Sequence, residues 1–484
     1  MRDGGIKKFP MVEEMMGTDG GEIGWFGGEG KKVVRIVYWN GEFMPVEKAF
    51  VHPLNQGIQY SHAFFEGQRF YRMSDGTWVS FRYPEHFARF IASYWAIKGY
   101  DVLENIVKTV NTKHKSIVVE TPSVEMLYRE ARKAYEEGKN PYIATIKCAD
   151  LSVGHGISEG LEKVSVHPNI SLFAECVNGK EKVRLSIRVP LVMYADGRVY
   201  TIAGLMELTK QLFALNNLHM LDADSFYYRP FATISNSPLK LQTFGKEVVL
   251  GLFPLAWGPY LGKGEVNVVV VPWKRISPEQ FKTYAKMAGH YTNSVLSANL
   301  ARAFGFTEGI MLDKDGNIAE GSAMNLFIVK NGIVYTPPLE VGILPGITRD
   351  SVINLLGFIG IEVVEKNLTI DDLLSADAAF FTGTAAEVMP LDSISVPKRF
   401  EKMREYDGIF SPSGKEIKLR ALRFTRVKFN DENKRIAREV RKAFFDIFQY
   451  GSGTNKEFGE KWLQKMPDGK DKQKSVRRAL VSRV

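Results

Sequence analysis

Apolar residues recur along this chain at spacings that predict a mixture of short strands and amphipathic helices. Residues 34–39 are apolar except for Arg35 and end at Asn40-Gly41, a pair typical of tight turns, and so predict the first strand of a hairpin. Further along, Phe87 and Phe90 lie at helical spacing behind Pro84, which indicates a helix that begins near the proline. The pattern therefore favours a fold of mixed α and β structure.

The stretch from 284 to 349 combines three polar features with this pattern. Lys286 stands just ahead of a predicted helix that carries Tyr291, and residues 309–312 and 318 flank an Asp-Gly turn pair as a hairpin would. We expect Glu320 to begin the strand that follows, and residues 346–348 to open the next helix. An amine, a carboxylate and a helix N-terminus thus lie close together in the chain, near the ends of secondary elements.

These three groups match the needs of pyridoxal 5'-phosphate. An aldehyde cofactor requires a lysine amine, its pyridine nitrogen requires an anionic partner, and its phosphate requires exposed amides at a helix N-terminus. A solvated lysine, a surface glutamate and a capping threonine would account for the same residues. On this stretch alone both interpretations stay open.

Longer motifs carry a resemblance to a known family. Residues 320–327 (EGSAMNLF), 334–336 (VYT) and 344–349 (LPGITR) resemble the class IV pyridoxal-phosphate-dependent aminotransferases. Residues 39–43 (WNGEF), 64–67 (FFEG), 227–230 (YYRP) and 383–387 (GTAAE) resemble the branched-chain amino acid aminotransferases in particular. The similarity covers roughly residues 34–100, 200–397 and 430–463, which is most of the chain.

The resemblance implies a fold and a set of site residues. It implies the two-domain α+β and α/β architecture of fold-type IV enzymes, similar to D-amino-acid aminotransferase. It assigns Lys286 as the catalytic residue that bonds the cofactor. The cofactor-binding residues that it implies are Arg89, Tyr291, Glu320, Ile347, Thr348 and Thr384. The substrate-binding residues are Tyr60, Phe65, Tyr227, Arg229, Tyr260 and Ala385.

The chemistry of several of these residues agrees with the implied roles. Tyr227 and Arg229 are two apart on a predicted strand, so both can address one carboxylate from the same face. The guanidinium of Arg89 suits bidentate pairing with a phosphate. Amino acids and 2-oxo acids are the implied substrates, and transamination of leucine, isoleucine and valine with 2-oxoglutarate is the implied reaction. Members of the family assemble as homodimers or larger homo-oligomers with the site near the subunit interface, and we expect the same here.

The predicted organisation has two interruptions. An N-terminal arm (1–33) precedes a smaller domain made of residues 34–100 and 199–255, which is interrupted by an insert (101–198) of predicted α+β structure. A linker (256–264) leads to the larger cofactor-binding domain (265–463), which carries a second insertion at about 397–429, and a basic tail (464–484) follows. The resemblance does not extend over either insertion, and their roles stay open.

Composition narrows the function classes. The chain has 484 residues and two cysteines, no apolar run long enough to span a membrane and no signal-like start, so we expect a cytoplasmic enzyme without a disulfide framework. The formal net charge is +9, but no aromatic residues interleave the charges of the tail, which argues against nucleic acid. No metal is expected, because Cys148, His155, His167 and Cys176 lack the paired spacing of a zinc site.

Three alternatives are compatible with the same motifs. A D-amino-acid aminotransferase or an aminodeoxychorismate lyase would share Lys286 and Glu320, although the YYRP and GTAAE runs favour neither. A binding protein on an inherited scaffold would retain the fold without the activity. The preferred side chain is also open, because Ala323 and Met324 stand where many members carry glycine and an acidic or small residue.

Overall fold

The computed structural model describes residues 35–98, 191–234, 241–243, 246–255, 264–404 and 422–468 in full, and the backbone of further strands outside these ranges. Tyr260 and the tail from 469 lie outside the described residues, as do residues 121–138, where Thr-Pro-Ser followed by spaced apolar residues predicts a helix in the insert. So do the side chains of the four residues considered for zinc.

Helices are numbered α1 to α9 and strands β1 to β29 in chain order. The helices are α1 Gln56–Tyr60, α2 Tyr83–Lys98, α3 Ile202–Leu215, α4 Tyr291–Ala303, α5 Ile347–Phe358, α6 Ile370–Leu374, α7 Phe400–Arg404, α8 Arg435–Asp446 and α9 Gly453–Trp462. The strands are β1 Ile23–Gly24, β2 Phe26–Gly27, β3 Lys31–Lys32, β4 Ile36–Trp39, β5 Glu42–Pro45, β6 Ala63–Phe65, β7 Gln68–Arg72, β8 Trp78–Phe81, β9 Thr109–Asn111, β10 Ser116–Val118, β11 Ile143–Ser152, β12 Val164–His167, β13 Ile170–Val177, β14 Lys182–Pro190, β15 Val192–Ala195, β16 Arg198–Thr201, β17 Ser225–Ile234, β18 Val248–Trp257, β19 Asn267–Lys274, β20 Glu308–Leu312, β21 Ile318–Gly321, β22 Asn325–Lys330, β23 Ile333–Thr336, β24 Val363–Glu365, β25 Ala378–Gly383, β26 Glu387–Pro390, β27 Ser393–Pro397, β28 Phe424–Lys428 and β29 Leu463–Lys465.

The first sheet gathers strands from both ends of the chain. Its order is β29-β8-β7-β17-β18-β4-β5, with β6 added beside β17 and β1 beside β18. Helices α2 and α3 cover one face, and the aromatic side chains of Phe70, Phe87 and Phe213 fill the core between helices and sheet. The segment predicted as an N-terminal arm therefore contributes a short strand, because Ile23 and Gly24 pair with the end of β18.

The second sheet follows the first along the chain. Its order is β24-β23-β22-β21-β20-β19-β27-β28, and β25 pairs with both β22 and β26. Parallel pairing of β19 with β20 and β27 leaves the central strands buried on both faces, which explains the continuous valine run at 268–271. Both ends of the second insertion pack with this sheet. Met403 of α7 is buried, and β28 extends the sheet beside β27.

The first insertion forms a sheet of its own. Strands β11, β14, β13 and β12 pair in that order and antiparallel. Within the insert, the apolar patterns at 170–177 and 183–189 predict two strands, and β13 and β14 match them closely. The hairpin β15–β16 then returns the chain to the core around α2 and α3.

The stretch from 284 to 349 folds largely as predicted. Strands β20 and β21 form the expected hairpin, with Gly316 at a positive φ of 96° in the turn. One detail was wrong, because Glu320 is the third residue of β21 and does not begin the next strand. The position matters for the site, since the end of β21 faces the start of α5.

Across the described ranges, we find no helix that combines the length and the apolar character needed to cross a membrane.

Candidate active site

Lys286 lies where the two sheets meet, and its backbone is fixed from both sides. Its amide donates to Ser93 Oγ of α2 at 2.9 Å, and its carbonyl accepts from the amide of Phe65 in β6 at 3.1 Å. A single antiparallel bridge joins Phe64 to Met287 next to it. The lysine side chain therefore starts from a rigid position at the wall of a cavity.

The amine of Lys286 is poised for chemistry near neutral pH. Its Nζ donates to the hydroxyl of Tyr291 on the first turn of α4, at 2.6 Å. Burial, together with the nearby charge of Arg89, lowers the pKa of Lys286 to about 8. Burial raises the pKa of Tyr291 to about 12, so the phenol keeps its proton. The neutral, nucleophilic fraction of the amine thus rises from about a tenth at pH 7 to about a half at pH 8.

Glu320 faces the same cavity from the end of β21. One carboxylate oxygen lies 2.8 Å from Nε of Arg275, and the carboxylate also accepts from Asn325 Nδ2 at 2.9 Å and from the amide of Leu344 at 3.3 Å. Burial raises the pKa of Glu320, although Arg275 opposes that shift. The ion pair with Arg275 favours the anionic form, while burial makes the carboxylate a better acceptor for a proton of a ligand.

Arg89 and Glu66 form a second buried ion pair at the cavity. Arg89 donates through Nε to one oxygen of Glu66 at 2.6 Å and through Nη2 to the other at 2.9 Å, while Nη1 reaches the carbonyl of Pro345 at 2.9 Å. His86 Nδ1 lies 2.9 Å from the same carboxylate. Burial alone would raise the pKa of Glu66, but Arg89 and His86 outweigh it and lower the pKa to about 2.

The start of α5 and the loop after β25 complete the wall. Ile347 and Thr348 open α5 and line the cavity, as do Thr382 and Thr384. Gly346 precedes the helix, and a Cβ there would stand 2.0 Å from Asn325 Oδ1, so only glycine fits this approach. Thr382 Oγ1 is buried and has no hydrogen-bond partner among the described residues. Together these groups make a cradle for an anion.

Phe65, Tyr227 and Arg229 lie together beside Lys286. The Phe65 ring packs against Tyr291 with centroids 4.8 Å apart, and the Arg229 guanidinium lies over Phe65 at 4.6 Å. Arg229 Nη2 donates to the Tyr227 hydroxyl at 3.1 Å, so the strand does bring the hydroxyl and the guanidinium together. Arg229 Nε is buried without a partner in the described part of the chain, which leaves it able to bind a carboxylate.

None of the predicted substrate residues that the structure describes is among the residues that line the cavity of Lys286. Phe65 contacts Lys286 and Tyr291 of that lining, whereas Tyr60 and Ala385 have other surroundings. Tyr60 ends α1 with 39% of its surface exposed, and packs beside the His62 ring. Ala385 follows Thr384 but lines a neighbouring cavity, where its carbonyl accepts from Arg69. Tyr260 belongs to residues that the structure does not describe. The predicted roles of all three stay predictions.

Several residues of the site were not singled out from the sequence. Arg275 follows β19 directly after Lys274, and nothing in the neighbouring sequence distinguishes it from a surface charge. Glu66 stands inside the FFEG motif, and a carboxylate in an otherwise apolar run was a usable signal that a cation would meet it. Glu387 ends the GTAAE motif and Arg69 stands two residues after FFEG, but their contact spans the two sheets.

Among the residues that the structure describes, no three His, Cys, Asp or Glu side chains gather as metal ligands would.

The family model for class IV aminotransferases (Amino-transferase class IV) matches residues 196–394. The branched-chain-amino-acid aminotransferase of Salmonella typhimurium (strain LT2) is 38% identical over 251 residues, covering 50% of this chain and 77% of that protein. The enzyme of the same name from Escherichia coli (strain K12) is 38% identical over 201 residues, or 40% of this chain. The chain spans only 63% of the length of this relative.

Two solved structures are similar over nearly their whole length. The branched-chain aminotransferase from Thermoproteus uzoniensis with norvaline has a TM-score of 0.55 and 24% identity, and the match covers 89% of this chain and 99% of that one. The E. coli branched-chain amino acid aminotransferase has a TM-score of 0.54 and 24% identity, covering 90% and 100%. At this identity the likeness establishes the fold, which is the predicted fold-type IV architecture.

Proposed function

Since this chain belongs to the class IV aminotransferase family, we propose that it is a transaminase that moves the amino group of leucine, isoleucine or valine to 2-oxoglutarate with pyridoxal 5'-phosphate. The observation that carries the proposal is the placement of Lys286. Its amine, with a pKa lowered to about 8, shares one cavity with a carboxylate, a buried arginine and a helix N-terminus.

The residues present fit the proposed cofactor. The unpartnered hydroxyl of Thr382, the start of α5 and Arg89 offer donors for a phosphate at one end of the cavity. Glu320 offers an acceptor for a protonated ring nitrogen, and Tyr291 a hydroxyl for the ring oxygen. When bound, the cofactor would supply an electron-withdrawing ring that makes the α-proton of an amino acid removable.

The protein's own contribution is to bind, orient and transfer a proton. Lys286 Nζ, neutral for part of the time near pH 7, would take the proton from the α-carbon of the substrate and then deliver it to a carbon of the cofactor. Tyr291 keeps the amine directed into the cavity through their 2.6 Å hydrogen bond. Glu320 would hold a proton on the ring nitrogen, and Arg275 would fix the orientation of that carboxylate.

Substrate recognition would use the cluster beside Lys286. The rings of Phe65 and Tyr227 present an apolar surface that suits a branched aliphatic side chain. The buried Nε of Arg229 favours a second carboxylate, as in 2-oxoglutarate and glutamate. Tyr260 and Tyr60 would extend the aromatic wall.

An absorbance spectrum with sequential additions tests the proposal. We expect a cofactor band that decreases when L-leucine is added and recovers when 2-oxoglutarate follows, because the two half-reactions interconvert the aldehyde and amine forms. D-Leucine should leave the band unchanged. A response to the D-isomer alone would favour the D-amino-acid enzyme, and a chain that takes up no cofactor would favour a non-catalytic scaffold.

We also propose that a second copy of the chain covers the face around α1. Phe50, Leu54, Ile58 and Tyr60 expose between 39% and 76% of their surfaces along one short segment, which is typical of a subunit contact. This placement would bring Tyr60 to the edge of a site formed with the partner. Sedimentation of wild type and of an Ile58→Asp, Leu54→Asp variant tests it: the proposal requires a dimer that the double variant weakens.

A further inference from the structure

The loop that follows β25 separates two cavities. Thr382, Gly383 and Thr384 line the cavity of Lys286. The next three residues, Ala385 to Glu387, line a second cavity of about 570 Å³ on the other side. A shift of this short segment would therefore change the wall of the Lys286 site, and the second cavity leaves space for such a shift.

Side chains of β7 hold the loop from the first sheet. Arg69 donates to the carbonyl of Ala385 at 3.0 Å and forms an ion pair with Glu387 at 3.2 Å. The hydroxyl of Tyr71 donates to the same Glu387 oxygen at 3.0 Å. Arg69 and Tyr71 are two residues apart in β7 and therefore lie on the same face of the strand, so one strand provides both contacts.

Glu387 is held in an unusual conformation. Its φ is 57°, in the left-handed region that residues with a Cβ seldom adopt. Glu387 is the first residue of β26, and its contacts with Arg69 and Tyr71 hold the side chain in place and so stabilise this backbone conformation. The Tyr71 ring is itself stacked on Phe448 at 3.9 Å, so the donor is rigid.

We propose that Glu387, clamped by Arg69 and Tyr71, is a positioning residue that sets the backbone of Ala385 for recognition of the substrate carboxylate. This inference rests on the proposed function, and on the prediction that the amide of Ala385 meets that carboxylate. Glu387 acts through the loop and does not touch the cofactor. Releasing it should weaken binding of carboxylate ligands and leave cofactor binding intact.

Two variants release the clamp by different means. Glu387→Gln removes the charge and keeps the shape of the side chain. Tyr71→Phe removes one hydroxyl and keeps the ring stack, so it preserves the core even if the first variant fails to fold. Arg72→Gln is the matched control, because Arg72 lines the same cavity from an exposed position and has no part in the clamp.

The experiment measures two dissociation constants on the full chain. One is for pyridoxal 5'-phosphate, followed by tryptophan fluorescence. The other is for 4-methylpentanoate, a carboxylate with an aliphatic body and no amine, followed by its effect on the cofactor spectrum. We expect the 4-methylpentanoate constant to rise about tenfold in both clamp variants, while the cofactor constant stays within about twofold of wild type and Arg72→Gln changes neither.

The outcomes separate the two proposals. If wild type transaminates leucine and the clamp variants bind 4-methylpentanoate as wild type does, the clamp proposal is wrong and the function stands. Parallel loss of cofactor binding would also overturn it, because it would mean a general loss of structure. If wild type binds the cofactor but neither transaminates nor binds the probe, the proposed function fails, and the clamp proposal fails with it.

Discussion

Two buried carboxylates, Glu320 in the lining of the Lys286 cavity and Glu66 behind Arg89, each pair with an arginine but differ in their proton affinity. Glu66 accepts hydrogen bonds from Nε and Nη2 of Arg89 and contacts His86, and its pKa falls to about 2. Glu320 meets Arg275 through Nε, with an amide and an asparagine as further donors, and its pKa rises. At Glu66 the charge of Arg89 and the hydrogen bonds from Arg89 and His86 outweigh burial, whereas at Glu320 burial outweighs the charge of Arg275.

This difference suggests a division of labour. A carboxylate with a very low pKa is a permanent anion, and Glu66 therefore serves to hold Arg89 in place. A carboxylate with a raised pKa can share a proton, which is what the partner of a pyridine nitrogen has to do. Lys286 connects the two, because Glu66 raises its pKa and the lysine in turn lowers that of Glu320.

Removing the Lys286 amine should have the largest effect on the rate of transamination. We expect Lys286→Ala to reduce transamination by at least about 10⁴-fold, since no second group in the cavity can both bond an aldehyde and move the α-proton. Steady-state rates and the cofactor spectrum measure this. Lys282→Ala, an exposed lysine four residues earlier, is the control and should behave as wild type. Retention of turnover in the Lys286 variant would refute the assigned role.

Glu320→Gln should give the next largest effect. The amide keeps the shape and can still accept from Asn325, but it cannot stabilise a protonated ring nitrogen, so we expect kcat to fall about 10²-fold while the cofactor still binds. The comparison predicts that kcat changes more than stability does. Glu340→Gln on the exposed surface is the matched control. An unchanged kcat would mean that the two carboxylates have the same, purely structural role.

Glu66→Gln should show the opposite balance, with stability more affected than chemistry. A shift of the Glu66 pKa from its usual 4.5 to about 2 corresponds to about 3 kcal/mol of stability at neutral pH. Because the folded pKa is lowered, this stabilisation is present above pH 4.5 and is lost as the pH falls from there toward 2. The urea denaturation midpoints of wild type and Glu66→Gln should therefore differ most at pH 6, and less at pH 4.

At Glu320 the dependence of stability on pH should have the opposite sign. Its pKa is raised in the folded state, so protonation favours folding, and stability is lost as the pH rises through the folded pKa. Glu320→Gln should therefore cost less stability at pH 6 than Glu66→Gln does under the same conditions. Equal losses in the two variants would contradict the contrast between the carboxylates.

The sequence predicted the local secondary structure of this site better than the ion pairs within it. The hairpin around Gly316, the helix starts at Tyr291 and Ile347, and the shared face of Tyr227 and Arg229 follow from spacing and turn residues, and the structure confirms them. The position of Glu320 within its strand was wrong by a few residues, because an apolar run does not mark where the hairpin ends.

The ion pairs were not predictable in the same way. Glu66 and Arg89 are 23 residues apart, and Arg275 and Glu320 are 45 apart, so each pair forms only after separate elements have packed. Charge alone does not identify a partner, since the chain has 64 Lys or Arg and 55 Asp or Glu residues. Burial selects the pairs, because a buried carboxylate without a cation or several donors would be strongly unfavourable.

The smallest expected effect is a shift in the titration of Lys286. The rate at which the cofactor aldehyde attaches to the lysine should rise with pH as the amine loses its proton, with an apparent pKa of about 8 in wild type. Glu66→Gln should move this pKa downward, because an anion that favours the protonated amine is gone and the positive charge of Arg89 remains. Stopped-flow absorbance across pH 6 to 10 measures both values, with Glu340→Gln as the control. An upward shift would mean that Arg89 leaves the cavity when Glu66 is replaced, and that Glu66 holds the arginine rather than merely neutralising it.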